Sequence, residues 1–301
     1  MEEPAGGTAG AAPSVTLEAQ RDRYLDLLSK CLTASLYDES AWRIMERPRI
    51  DNLSWRRPGR LVRTFLKRWA HGAVERRSKL IVERRAFDPV IRDNGKDWPF
   101  FGYTMAGHRR LDNVRHCVED VIKSRVPGDL IETGVWRGGT SIFMCAILKC
   151  HGVTDRTVWL ADSFEGMPKP DTEAHGLDAG DDLSHVSYLR VSLEQVQANL
   201  ARFGMLDDKV RFLKGWFRDT LPGAPIEKLA ILRLDADLYD STMDALRALY
   251  HRVSPGGYVI VDDYQSWRSC RKAVTDFQAE RGIEVDIKMI DQDGAYWQVP
   301  R

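Results

Sequence analysis

From about residue 100 the chain alternates short apolar runs with longer runs of helical periodicity. GDLIETGV (128–135), TVWLADSF (157–164), KVRFLKGW (209–216), LAILRLDAD (229–237) and GGYVIVDDY (256–264) read as five strands. The helical run TSIFMCAILKCHG follows the first strand through a Gly-Gly turn. A helix through Asp240–Arg252 follows the fourth strand, and SCRKAVTDFQAERG follows the fifth. The strands read as apolar on both faces, as a parallel sheet covered by helices requires. EVDIKMID and AYWQVP complete the chain, and the few residues between them predict an antiparallel pair at one edge. The expected fold is α/β, a doubly wound Rossmann-like sheet whose ligands sit beyond the carboxyl ends of the strands.

Before residue 100 the pattern differs. Residues 1–16, rich in Gly, Ala and Pro, read as a loose tail, and 17–100 as a helical, basic extension of a domain spanning 101–301. Between Arg43 and Arg85 stand fourteen Lys/Arg against four Asp/Glu, although the whole chain carries 44 of each and is formally neutral. Within this stretch Leu61, Phe65 and Trp69 recur at i, i+4 and i+8, an apolar stripe on a helix otherwise covered by arginines. Such a helix docks on its own domain or on a second subunit, or lies on a membrane surface or polyanion, or the segment is in part disordered.

With 301 residues and 43% hydrophobic content, the chain can bury a sizeable core. Global neutrality gives no case for a nucleic-acid partner. No apolar run approaches the ~20 residues that span a bilayer, and the N-terminus lacks the basic and apolar regions of a secretory signal. Five cysteines without a C-x-x-C pair fit a reduced, cytoplasmic protein and make zinc improbable.

The chemistry gathers at the strand ends. Strand one runs into Glu132-Thr133-Gly134-Val135-Trp136-Arg137-Gly138-Gly139, whose glycines admit a ligand close to the backbone. The spacing lacks the second glycine of G-x-G-x-x-G, which disfavours a nicotinamide-dependent dehydrogenase. Glu132 suits a cationic ligand group better than a pyrophosphate, and E-x-G-x-x-x-G resembles the first motif of class I S-adenosylmethionine-dependent methyltransferases. Asp162, ending strand two, stands where a nucleoside site places an acid against ribose hydroxyls. Gly215-Trp216-Phe217, after strand three, offers aromatic faces to a purine.

Asp235-Ala236-Asp237 and Asp262-Asp263 terminate two strands expected to be neighbours. Like charges buried together are costly unless a cation neutralises them. Oxygen-only ligands point to a hard ion, Mg²⁺ or Ca²⁺. One acid of Asp235-Ala236-Asp237 can then hold metal while the other takes the proton of a substrate hydroxyl.

From Thr104 to Trp297 the chain resembles the macrocin-type sugar O-methyltransferases, Mg²⁺-dependent enzymes that methylate deoxysugar hydroxyls of antibiotics. The matching strings are TMAG, RLDNVRHCVE, VPGDLIETGVWRGG, RTVWLADSFEGMPKP, LDDKVRFLKGWFRDTLP, LAILRLDADLY, TMDALRALYHRVSPGGYVIVDDY and the final YW. The resemblance implies S-adenosylmethionine and Mg²⁺ as cofactors and a class I methyltransferase sheet. It implies Asp235, Asp262 and Asp263 as Mg²⁺ ligands and Asp237 as general base. Met105, Glu132, Gly134, Asp162, Ser163, Trp216 and Phe217 would line the cofactor site. The acceptor is expected to be a glycoside or sugar and the enzyme a cytoplasmic homo-oligomer, a dimer. The rival readings are a catechol-type phenol methyltransferase and a non-catalytic nucleoside-binding scaffold. GLDAGDDLSHVSYLR (176–190) falls where the family carries a mobile lid over its substrate.

Overall fold

The structure is a computed structural model that describes residues 16–37, 41–44, 66, 67, 69, 82–171, 173, 176–178 and 181–301. Helix α1 (Leu17–Leu32) starts at Thr16, whose side chain accepts a hydrogen bond from the Ala19 N–H. Leu25, Leu28 and Leu32, spaced for one helix face, are buried in the core of the main domain. Strands β1 (Ala41–Ile44) and β2 (Val82–Arg85) form a separate antiparallel pair, and α2 (Pro89–Asp93) follows. The two strands were not foreseen in the apolar periodicity. Of the expected stripe, Leu61 and Phe65 lie outside the described residues, as does most of the 1–16 tail; Trp69 is described and exposed.

Helix α3 (Gly107–Lys123) leads into β3 (Asp129–Thr133), α4 (Gly139–Cys150), β4 (Val158–Asp162), α5 (Leu193–Arg202), β5 (Val210–Lys214) and the short α6 (Phe217–Thr220). Then come β6 (Leu229–Leu234), α7 (Tyr239–Leu249), β7 (Val253–Val261), α8 (Arg268–Arg281), β8 (Lys288–Met289) and β9 (Ala295–Gln298). The seven strands β3 to β9 form one sheet in the order β5-β4-β3-β6-β7-β9-β8. The first five are parallel, while β9 runs antiparallel to both β7 and β8. The expected edge hairpin is therefore present, with β9 wedged between β7 and a β8 of two residues.

Helices cover both faces. On one, α1, α3, α4 and α5 pack with Leu130, Leu160 and Ile231. On the other, α7 and α8 pack with Ile131, Trp159 and Leu232, closed at the edge by Trp297. Strands β3 and β6 are central and buried almost throughout, as their unbroken apolar runs require. Strand β5 departs from that expectation. It is an edge strand, with Arg211 and Lys214 exposed and Phe212 and Leu213 half-buried. Charged residues at such an edge oppose pairing with a foreign strand. Helix α7 stops at Leu249, and Tyr250–Arg252 continue as one 3₁₀ turn. No helix among the described residues is long and apolar enough to cross a membrane.

Candidate active site

The parallel strands point their carboxyl ends at one cavity of about 590 Å³. Two turns shape its floor. Gly134, just past β3, has φ +87°, and a Cβ built there would lie 1.8 Å from the Asp235 carbonyl oxygen. Only glycine lets the β3 turn press against the end of β6 in this way. From the end of β4, the Asp162 carboxylate accepts the Val135 N–H at 2.7 Å, the Trp136 N–H at 3.3 Å and the Phe164 N–H at 2.8 Å. Asp162 is thus a brace for the β3 turn as well as a cavity residue. Burial raises its pKa, and the three backbone donors pull it back toward the ionised form.

Three non-glycine residues adopt left-handed backbone here: Trp136 (φ 47°), Phe164 (φ 56°) and Asp237 (φ 55°), each just beyond β3, β4 or β6. Conformations of this kind persist where surrounding structure over-determines them, and they gather at functional sites. Met105, Gly134, Asp162, Ser163, Trp216 and Phe217 all line the cavity, together with Asp235 and Asp237. So do Trp136 and a run from Glu165 to Asp171, which the strand-end reading did not single out. The stretch 176–190 reaches the same cavity through Asp178, Ser184, Leu189 and Arg190. Tyr188, beside them, stacks on Trp98 at 5.1 Å and accepts the Trp136 indole N–H on its carbonyl at 3.0 Å.

Glu132 is placed differently from the sequence expectation. It is buried and absent from the cavity lining. Its Oε1 accepts from Arg233 Nη1 at 2.8 Å, and Ser141 Oγ donates to its Oε2. The cation that this carboxylate faces belongs to its own chain. Burial pushes its pKa up to about 7, against the opposing pull of Arg233 and Ser141.

The four aspartates also divide. Asp235, Asp237 and Asp263 each offer a carboxylate oxygen within 4.8 Å of the other two. Asp263 Oδ2 is buried with no hydrogen-bond partner, an orphan acceptor facing two like charges. Burial raises all three pKa values, Asp237 to about 7, and mutual repulsion adds to the effect. Such a cluster is stable as ionised groups only with a cation between them. The donors are all carboxylate oxygens, which suits a hard divalent ion. The residues therefore fit a bound Mg²⁺.

Asp262 stands outside this group. Its Oδ1 accepts from Arg233 Nη2 and its Oδ2 from Arg110 Nη1, both at 2.5 Å. Neither arginine was foreseen. The available signal was Arg233 itself, a charge inside the apolar run LAILRLDAD. Arg110, on α3, lies far from the strand ends in sequence and gave no such sign.

Residues 21–299 match the family model described as Macrocin-O-methyltransferase (TylF). The chain belongs to the macrocin O-methyltransferase family. It is accordingly an O-methyltransferase, and the seven-stranded sheet is that of its class. Across 282 residues it is 46% identical to the 8-demethyl-8-(2,3-dimethoxy-alpha-L-rhamnosyl)-tetracenomycin-C 4'-O-methyltransferase of Streptomyces olivaceus, covering 93% of this chain and 94% of that one. It is 48% identical over 221 residues to the mycinamicin III 3''-O-methyltransferase of Micromonospora griseorubida, covering 72% and 87%. The solved structure of the O-methyltransferase NovP superposes with a TM-score of 0.77 at 42% identity, covering 93% of this chain and all of that one.

Proposed function

We propose that this macrocin-family enzyme moves a methyl group from S-adenosylmethionine to a sugar hydroxyl of a glycosylated secondary metabolite, with Mg²⁺ at the aspartate cluster. The observation that carries the reading is the group Asp235, Asp237 and Asp263, with its orphan Asp263 Oδ2, beside the cavity at the ends of the strands. Two of its relatives have names that give a numbered position of O-methylation, one of them on a rhamnosyl compound, and a third is a demethyldecarbamoylnovobiocin O-methyltransferase of Streptomyces niveus at 44% identity.

In this reading Asp235 and Asp263 hold the ion, and a change in the Asp262 side chain would be needed for it to join them. When bound, the cation makes a nearby hydroxyl more acidic and the sulfonium supplies an electrophilic methyl. The chain's own residues do the rest. Trp216 and Phe217 would hold the adenine, and Gly134 and Asp162 would let the backbone lie close to the nucleoside. Asp237 sits on the floor of the same cavity, where its carboxylate accepts the proton of the sugar hydroxyl as the oxygen attacks.

Residues 101–301 form the methyl-transfer domain in this proposal. The 17–100 extension is fixed to it through α1, whose Leu25, Leu28 and Leu32 enter the core. All five cysteines are free, which favours a cytoplasmic enzyme. Leu17, Tyr24 and Leu27 leave an exposed apolar stripe on α1, which favours a homo-dimer.

The test uses purified enzyme, S-adenosylmethionine, and either a glycosylated macrolide or a catechol. Methyl transfer to the sugar, lost in EDTA and restored by Mg²⁺, is the expected result. Full activity in chelator removes the metal; transfer to catechol alone removes the sugar acceptor.

A further inference from the structure

Beneath the cavity runs a chain of alternating charges. Lys96 binds Asp293, which also accepts from Arg110 Nη2 at 3.0 Å. Arg110 Nε binds Asp291 at 2.9 Å, and its Nη1 binds Asp262. Asp262 passes the chain to Arg233, and Arg233 to Glu132 and Asp235. The last link is decisive: one Arg233 nitrogen, Nη1, donates to Glu132 at 2.8 Å and to Asp235 Oδ2 at 3.0 Å.

Arg233, the last residue but one of β6, is fully buried. A lone guanidinium there would be prohibitively costly, so its retention requires the three carboxylates that surround it. Those carboxylates belong to three adjacent strands: Glu132 to β3, Asp235 to the end of β6 and Asp262 to the end of β7. Glu132 is held in turn by Ser141 of α4, the helix that follows the Gly134 turn. The planar fork of arginine, unlike the point charge of lysine, fixes the directions of several partners at once.

We infer that Arg233, backed by Arg110, is a positioning residue for the metal centre: it turns Asp235 so that one oxygen is tied back and the other faces Asp237 and Asp263. This rests on the proposed divalent-cation site. Partners of this kind, one bond removed from the ligands, typically change metal affinity by about 10–100-fold when replaced. Arg233 does not itself line the cavity and reaches it only through Asp235, away from Trp216, Phe217 and Asp237. Its effect should therefore fall on the ion and spare the cofactor.

The experiment measures Mn²⁺ binding to the full-length protein by electron paramagnetic resonance, beside S-adenosylhomocysteine binding by calorimetry, for wild type and Arg233→Lys. The expected result is a metal affinity at least tenfold weaker, with cofactor affinity within twofold. In turnover, the Mg²⁺ concentration for half-maximal rate should rise while kcat recovers at saturating Mg²⁺. Unchanged Mn²⁺ affinity in a folded Arg233→Lys protein overturns the inference, as does an equal loss of metal and cofactor binding. If that variant does not fold, Arg110→Lys decides by the same measurements, with a loss of threefold or more supporting the clamp and an unchanged affinity overturning it. Wild type is measured first: a protein that binds no Mn²⁺ removes the metal reading itself, whereas normal wild-type binding with an indifferent variant removes only the role of Arg233.

Discussion

Replacing Gly134 by Ala perturbs the contact on which the site is built. At φ +87° an L-residue carries a backbone cost of about 1–2 kcal/mol. The new Cβ would meet the Asp235 carbonyl oxygen at 1.8 Å and its carbon at 2.8 Å. Both are backbone atoms, so no side-chain rotation relieves the clash, and the β3 turn or the end of β6 must move by roughly 1 Å. Forced shifts in a well-packed region cost about 1–3 kcal/mol. Taking about 3 kcal/mol in all, and roughly 2–4 °C per kcal/mol for a protein of this size, Tm should fall by about 6–12 °C. The same shift displaces Asp235 from Asp237 and Asp263. A misplacement of about 1 Å near a reacting centre can cost on the order of 10²-fold. Differential scanning calorimetry reads the first effect and kcat/KM, measured well below the new Tm, reads the second. A Tm within 2 °C of wild type and an unchanged kcat/KM would refute the claim that this turn and the aspartate cluster are one rigid unit.

Three further outcomes follow from the same geometry. Asp237→Asn, which keeps the shape of the side chain but cannot take a proton, should lower kcat by roughly 10²–10⁴-fold with cofactor affinity intact; a loss under threefold at saturating Mg²⁺ would assign the base elsewhere. Trp216→Ala removes an aromatic face from the cavity and should weaken S-adenosylhomocysteine binding by about fivefold to tenfold, read by calorimetry, with the Tm less affected. Glu132 has a folded-state pKa raised to about 7 against an ordinary 4.5, so the folded metal-free protein binds the extra proton between those values. Its contribution to stability is fully present below about pH 4.5 and is lost as pH rises toward 7. Urea midpoints between pH 5 and 8 should therefore fall less steeply with pH in Glu132→Gln, and identical slopes would place the proton on another group.

Much of this enzyme was written in local pattern. Apolar runs of strand length, separated by helical periodicity, determine a parallel sheet because both faces of each inner strand must be covered. Acidic residues at the ends of β4, β6 and β7 were legible for a related reason: chain direction alone puts them on the ligand side of such a sheet. Gly134 could be read as a close-approach position, but not what approaches it. That partner, the Asp235 carbonyl, is a matter of how β3 lies beside β6. Edge placement was partly legible, since KVRFLKGW carries Lys209, Arg211 and Lys214 among its apolar residues, and β5 borders solvent with Arg211 and Lys214 exposed there.

What only tertiary structure decided was the pairing of charges. Glu132 and Asp262 look like ligand carboxylates in sequence, and each sits at or next to a strand end. Burial forced each to find a counter-charge, and that charge came from Arg233 in the next strand and Arg110 on a distant helix. Asp263 and Asp237 form no ion pair among the described residues and remain clustered with Asp235, although Arg110 lies near enough to Asp263 to oppose its charge. Residue type and spacing determine which groups carry charge and which side of the sheet they occupy. Whether a buried carboxylate answers to an arginine or to an ion depends on distances across strands, because electrostatic compensation in a low-dielectric interior is a property of neighbours in space.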